Sequence, residues 1–249
     1  MPLLSTEAIV LSSLRLGEED KLIRFFSLTH GKISGVAKGA RRFKNRFGAA
    51  LEPFTHCHLV LFEKPNNKIA RVSQADILYS FRKLREEWDS IEHGMEMVRR
   101  LSRITPEEQP HPNLYSLLKE GLLLLEMGVN RPLSSILFMA HLIAESGYQP
   151  RWNQCLLCNK DIDATDTAHP FFSYKEGGVF CRRCVRSETI APISLGALTF
   201  LQTISKIDFK SAHQYTPPLL LIREIETLLK DYMAYIIGRQ RTTAPQPST

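Results

Sequence analysis

A chain of 249 residues, 43% apolar and 23% charged, has ordinary globular chemistry and enough length for two folded regions. Its longest apolar runs are too short to span a bilayer, and its N-terminus lacks the basic start and unbroken apolar stretch of a signal peptide. A membrane or secreted protein is therefore not expected, and a cytoplasmic one is. The net charge of +6 is unevenly spread: residues 1–80 carry 12 Lys and Arg against 7 Asp and Glu, whereas residues 81–249 carry 20 against 19. Such clustering predicts a polyanionic partner for the first third of the chain.

In chain order, the segments "EAIVLSSLRLG", "DKLIRFFSLT", "GKISGVAKG", "FTHCHLVLFEK" and "NKIARVSQADILY" read as five short strands up to Tyr79. They are punctuated by the turn signals "GEED", "HG" and "KPNN". In the fourth strand Phe54, His56, His58, Val60 and Phe62 share one face by alternation. Five strands in roughly 80 residues fit a small closed barrel; an OB-type barrel is the commonest basic form, and an SH3-like barrel would give a similar pattern.

After Phe81 the apolar period becomes helical, with Leu84, Trp88, Ile91, Met95, Val98 and Leu101 spaced by three and four. Pro106, Pro110 and Pro112 interrupt it, and a second helix opens with Asn113 as N-cap. "RPLSSILFMAHLIAESG" reads as a third helix, apolar on most sides and ending at Gly147. Two more follow in "ISLGALTFLQTIS" and "PPLLLIREIETLLKDYMAYIIG", before the polar, Pro-containing tail "RQRTTAPQPST", which is not expected to fold. The fold class expected is α+β: an OB-fold barrel over 1–80, then an all-α domain over 81–240 with an insert at about 152–188, and a flexible tail over 241–249.

The insert carries Cys155-x-x-Cys158 and Cys181-x-x-Cys184, separated by 22 residues. Two such pairs supply four thiolates to one tetrahedral Zn²⁺, which leaves no open coordination position and makes the ion structural rather than catalytic. "FFSYKEGGVF" reads as a hairpin turning at Gly177-Gly178 that returns the second pair to the first. His169 is not needed once four thiolates fill the shell, and Cys57 reads as an ordinary buried thiol.

No recognisable catalytic motif occurs. His56 and His58 read as packed or surface histidines rather than ligands. The chemistry concentrates instead in "AKGARRFKNRFG", where Lys38, Arg41, Arg42, Lys44 and Arg46 have no acid beside them in the segment. Intramolecular pairing is therefore not expected for these cations. Gly35, Gly39 and Gly48 permit a tight exposed loop. Phe43 can stack on unpaired bases, and Phe47 can either stack or anchor the loop in the core. Cations that track phosphates, with aromatic rings among them, describe a single-strand-binding surface, without implying sequence specificity.

"GEEDKLIRFFSLTHGK", "VAKGARR" and "RFGAALEPF" resemble the N-terminal domain of the bacterial RecO family of recombination mediators. The later helices, the double CxxC and "EGGVFCRRC" resemble that family's C-terminal domain, so the likeness spans nearly the whole chain. The resemblance implies an N-terminal OB-fold and a helical domain with a zinc-binding insert. It further implies binding of single- and double-stranded DNA and annealing of complementary strands, without catalytic turnover. The implied partners are RecR, the single-stranded DNA-binding protein SSB and, indirectly, the recombinase RecA. DNA contact transfers to Lys38, Arg41, Arg42, Phe43, Lys44 and Arg46, and Arg131 is the residue proposed for the acidic SSB tail. One departure from the family pattern is Asn159, which follows the first CxxC where glycine is usual; Asn tolerates the left-handed backbone that such a knuckle requires.

Two other readings of the same residues remain at this point. A zinc-ribbon transcription or translation factor would grip nucleic acid through Arg182 and Arg183, and a metal-dependent nuclease would use His56 and His58; Arg182, Arg183 and Arg186 either extend the DNA path or keep the insert soluble.

Overall fold

The five N-terminal strands close on themselves. β1 (Leu3–Leu16), β2 (Asp20–Ser27), β3 (Gly31–Ala37), β4 (His56–Lys64) and β5 (Asn67–Tyr79) form a barrel of order β1-β2-β3-β5-β4, with β4 pairing back to β1. All neighbours are antiparallel except β3 and β5, which run parallel over Ser34–Val36 and Ile69–Arg71. This is the OB-fold arrangement. The computed structural model describes residues 3–64, 67–162, 169–185, 190–204, 207 and 209–243, so the centre of the expected "KPNN" turn lies outside the described residues.

Alternation explains the barrel core. Leu4, Ala8 and Val10 of β1, Ile23 and Phe25 of β2, Cys57, Leu59 and Leu61 of β4, and Val72 and Ala75 of β5 all point inward. The segment between β3 and β4 contributes Ala40, Phe47, Ala50 and Leu51 to the same cluster. The other face of β4 differs from a simple stripe. Phe54 precedes the strand at φ 72° and is buried, as is His56, whereas Phe62 is partly exposed.

Two compact units run over Met1–Arg131 and Pro132–Thr249. The first contains, besides the barrel, a 3₁₀ turn at Leu84–Glu86, α1 (Trp88–Ile104) and α2 (Pro112–Glu126). The buried face of α1 is Ser90, Gly94, Met97, Val98, Leu101 and Ile104, with Arg100 also buried. Trp88, expected in the apolar stripe, is 77% exposed. The face is rotated because small residues permit closer packing: a Cβ on Gly94 would stand only 3.1 Å from the Phe54 ring. The N-cap of α2 is His111, not Asn113, because Pro112 with its fixed φ takes the first helical position.

The second unit holds most of α3 (Arg131–Ile143), of which Leu133 through Met139 are all buried, as the all-round apolar sequence predicts. A wide turn at Ala144–Tyr148 ends it, with Gly147 at φ 85°. The insert folds as the sheet β7-β6-β8, made of β6 (Phe171–Ser173), β7 (Gly178–Phe180) and β8 (Ile190–Pro192). Its hairpin turns at Gly177 (φ 64°), as expected, whereas β8 carries no sequence signal strong enough to predict it. α4 (Leu195–Ile204), a 3₁₀ turn at Phe209–Gln214 and α5 (Leu219–Thr243) complete the unit. α5 runs beyond its expected end, so the first residues of the polar tail are helical, carried by continuation of a helix already nucleated. Among the described residues, no helix is long and apolar enough to cross a membrane.

Candidate nucleic-acid interface and metal centre

The basic segment leaves β3 at Ala37 and runs along the barrel rim as a series of turns. Gly39 (φ 67°) starts it, and Asn45 shapes its tip by accepting the backbone N–H groups of Phe47 and Gly48 at 3.0 and 2.9 Å. This Asn-centred turn pulls Phe47 inward, where it is 5% exposed and joins the core. Phe47 is thus an anchor rather than a stacking platform. Phe43, two residues before Asn45, is 100% exposed. Arg42 and Lys44 flank it, and both are exposed.

The expectation that these cations lack intramolecular partners is not met for four of the five. Lys38 pairs with Asp20 at 2.9 Å, Arg42 pairs with Glu19, and Arg41 donates from Nη1 to the carbonyls of Gly17 and Glu18 at 2.8 and 2.6 Å. The physical reason is β-sheet register. Lys21 on β2 lies opposite Ala37 on β3, so the acidic turn before β2 and the basic segment after β3 meet at one end of the hairpin. Arg46 donates to the Val72 carbonyl at 3.3 Å, with its guanidinium 4.8 Å from the Phe47 ring centre. Lys44 has no ion-pair partner among the described residues.

Sequence reading missed Asn45, Glu19, Asp20 and Arg71. Arg71 is exposed on β5 and immediately precedes Val72, whose carbonyl receives Arg46. Only the strand register would have revealed it. Asn45 was legible in principle, since Asn readily folds its side chain onto the backbone two residues on.

Cys155, Cys158, Cys181 and Cys184 converge, with their sulfurs all within 4.8 Å of one another. Cys158 and Cys181 lie 3.9 Å apart. A tetrahedron with metal–thiolate bonds of about 2.3 Å has sulfur–sulfur edges of roughly 3.8 Å, so the set fits one metal ion. Asn159 sits at φ 55°, the left-handed conformation expected of it, and its N–H meets the Cys155 carbonyl at 3.0 Å. Burial pushes the Cys155 thiol up, but N–H groups of Cys158, Cys181 and Leu157 hold its thiolate and bring it down to about 6. Hydrogen bonding to the Cys181 and Cys158 sulfurs raises Cys184 to about 12. Four crowded sulfurs cannot all ionise unaided, and a cation among them removes that conflict.

The insert is tied down from within its own unit. Trp152 stacks on Phe172 at 4.8 Å, and a Cβ on Gly177 would meet the Tyr232 hydroxyl of α5 at 2.7 Å. Arg182 and Arg183 are exposed beside the cysteines; Arg186 lies outside the described residues.

The histidines of β4 are accounted for by ordinary partners. His56 Nε2 meets Glu7 Oε2 at 2.9 Å, and His58 Nε2 meets Ser5 Oγ at 3.0 Å. Among the described residues, only the four cysteines bring three or more potential metal ligands together. Cys57 is fully buried in the barrel, where burial raises its thiol to about 12. Arg131 is not a free cation at a rim: it pairs with Glu87 and donates from Nε to Ser90 Oγ at 2.7 Å.

A closed OB-fold barrel with a cation-rich rim loop, followed by helices and a four-thiolate centre, defines an oligonucleotide-binding-type barrel protein with a metal-binding insert. Within that class the chain belongs to the recombination protein O family: the model described as "Recombination protein O N terminal" matches residues 1–81, and that described as "Recombination protein O C terminal" matches residues 90–244. Curated relatives agree. The DNA repair protein RecO of Myxococcus xanthus is 30% identical over 235 residues, covering 94% of this chain and 92% of the relative. That of Nocardioides is 32% identical, covering 94% of each, and that of Thermodesulfovibrio yellowstonii is 28% identical, covering 96% of this chain and 95% of the relative.

Proposed function

We propose that this protein is a non-catalytic recombination mediator in DNA repair. The barrel, residues 1–80, binds single- and double-stranded DNA, and the helical part, residues 81–240, carries the zinc-stabilised insert. The observation that carries this reading is the fully exposed Phe43 between exposed Arg42 and Lys44, on an OB-fold barrel rim, in a chain of the recombination protein O family. The family match favours it over a zinc-ribbon transcription or translation factor and over a metal-dependent nuclease.

In this reading Lys38, Arg41, Arg42, Lys44 and Arg46 neutralise phosphates on two strands and reduce the repulsion that opposes pairing, while base pairing supplies the sequence information. Phe43 stacks on an unpaired base, a contact worth about 1–3 kcal/mol. Arg41 also fixes the loop, since its Nη1 donates to two carbonyls of the acidic turn. Zn²⁺ in the four-cysteine centre is structural: bound thiolates hold the two knuckles together, and no step passes through the ion. With RecR as partner, the protein acts in the bacterial cytoplasm on SSB-coated strands and helps load RecA. Arg131 receives an acidic group of the SSB tail in exchange for Glu87.

Annealing of complementary oligonucleotides, bare and SSB-coated, at two salt concentrations tests this reading. Coated strands are expected to anneal faster with the protein present, and less so at higher salt. No acceleration of coated strands would refute the mediator role.

A further inference from the structure

The acidic turn Gly17–Asp20 and the basic segment border an open cleft of about 650 Å³, and the contacts across it divide into two kinds. Asp20 supports backbone: one carboxylate oxygen accepts the Gly39 N–H at 2.8 Å while the other holds Lys38 at 2.9 Å. Arg41 does the same in the opposite direction, its N–H meeting the Glu19 carbonyl at 2.8 Å and its guanidinium the carbonyls of Gly17 and Glu18. Among the described residues, the Glu19 carboxylate supports no backbone group. Its Oε2 accepts Nε of Arg42 at 2.8 Å and also Nη2, so it covers one edge of that guanidinium. Both side chains remain more than half exposed, at 54% and 64%.

The Nε–Nη2 edge of an arginine is one of the two edges that phosphate oxygens take in bidentate pairing. An exposed pair of this kind is weak and readily exchanged. We propose that Glu19 is an internal stand-in for phosphate: it occupies Arg42 in the free protein and yields it to a nucleic-acid backbone that already contacts Lys44 and Arg46. Glu19 thereby lowers affinity for isolated phosphates and favours continuous strands, which present several phosphates at once. This inference rests on the reading of the loop as a DNA-binding surface.

Binding of a labelled oligothymidylate by the intact protein tests it, using Glu19→Gln, Arg42→Gln and the double variant, each checked for unchanged melting. Glu19→Gln is expected to tighten binding about 3–5-fold at low salt. Its salt dependence should also steepen by up to about 0.7, because no freed carboxylate recruits a cation when Arg42 moves to phosphate. In the Arg42→Gln background the same change should leave only the small gain that loss of one nearby negative charge brings. Glu18→Gln, which removes an equal charge one residue away, should tighten binding less. Unchanged or weakened binding by Glu19→Gln overturns the proposal, as does an equal gain in the Arg42→Gln background. A wild-type protein that binds no oligothymidylate would overturn the loop assignment itself and this inference with it, whereas wild-type binding without the Glu19 effect overturns the inference alone. Should Glu19→Gln fold poorly, Glu19→Ala with the same readout replaces it.

Discussion

Gly31 and Gln109 are so closely packed that a Cβ on Gly31 would stand 1.9 Å from the Gln109 carbonyl oxygen. Gly31 opens β3 at φ 65°, and the Gln109 backbone belongs to the connection between α1 and α2. Around this point Lys32, itself buried, donates to the Ser102 carbonyl at 2.7 Å and pairs with Glu107 at 3.0 Å, while the Glu108 N–H meets the Lys32 carbonyl at 3.1 Å. Together these interactions fasten the start of β3 to the helical connection within the first unit. Gly31→Ala adds both a clash with backbone and an unfavourable left-handed φ, so it should cost about 2 kcal/mol or more. Urea unfolding followed by circular dichroism checks this as a fall in midpoint at unchanged slope.

The four-cysteine centre predicts one tightly bound zinc per chain. Cys155→Ser should abolish it, since Cys155 is the buried ligand whose thiolate is already held by three backbone N–H groups. Loss of a structural zinc removes on the order of 10 kcal/mol of binding energy, far more than three-residue strands can replace. Elemental analysis reads the stoichiometry. Hydrogen exchange should then show rapid exchange across 152–185, with the barrel strands still protected.

Burial holds His56 below the ordinary imidazole range, against the hydrogen bond its ring donates to the Glu7 carboxylate, and the charge of Lys119 lowers it further. A depressed folded value means that the native state favours the neutral ring. The stability this contributes is fully present above the unfolded value of about 6.5 and is lost as pH falls through the lower folded value. Denaturation midpoints between about pH 7.5 and 5 should therefore fall on acidification. His56→Gln should flatten that limb by up to one proton.

Much of this architecture is legible from residue patterns, and the parts that are not share a cause. Alternation along β4 separates Cys57, Leu59 and Leu61 from the outward positions, and the CxxC spacing together with the Gly177 turn foretells the converging sulfurs. Asn159 is legible too, because its side chain tolerates the backbone it must adopt. The pairing of Arg42 with Glu19 is not, since it arises from the Lys21–Ala37 register of a hairpin and not from neighbours in sequence. Trp88 misleads for a related reason: helical spacing shows a stripe, but Gly94 against Phe54 decides which side of α1 can approach the barrel. The exposed Phe43 and the buried Phe47 look alike in sequence, and only the Asn45 turn between them sends one outward and the other in.

The most direct measurement concerns the rim loop itself. Arg41, Arg42, Lys44 and Arg46 are replaced together by Gln in a protein shown by melting and circular dichroism to be folded, and oligonucleotide affinity is compared with that of Arg182→Ala/Arg183→Ala. The loop variant should bind about tenfold or more weakly, with a salt slope reduced by about 0.7 for each phosphate no longer engaged, while the arginine pair beside the cysteines should matter little. Unchanged affinity in the loop variant, or weakening only in the Arg182/Arg183 variant, would contradict the assignment of this loop as the DNA-binding surface.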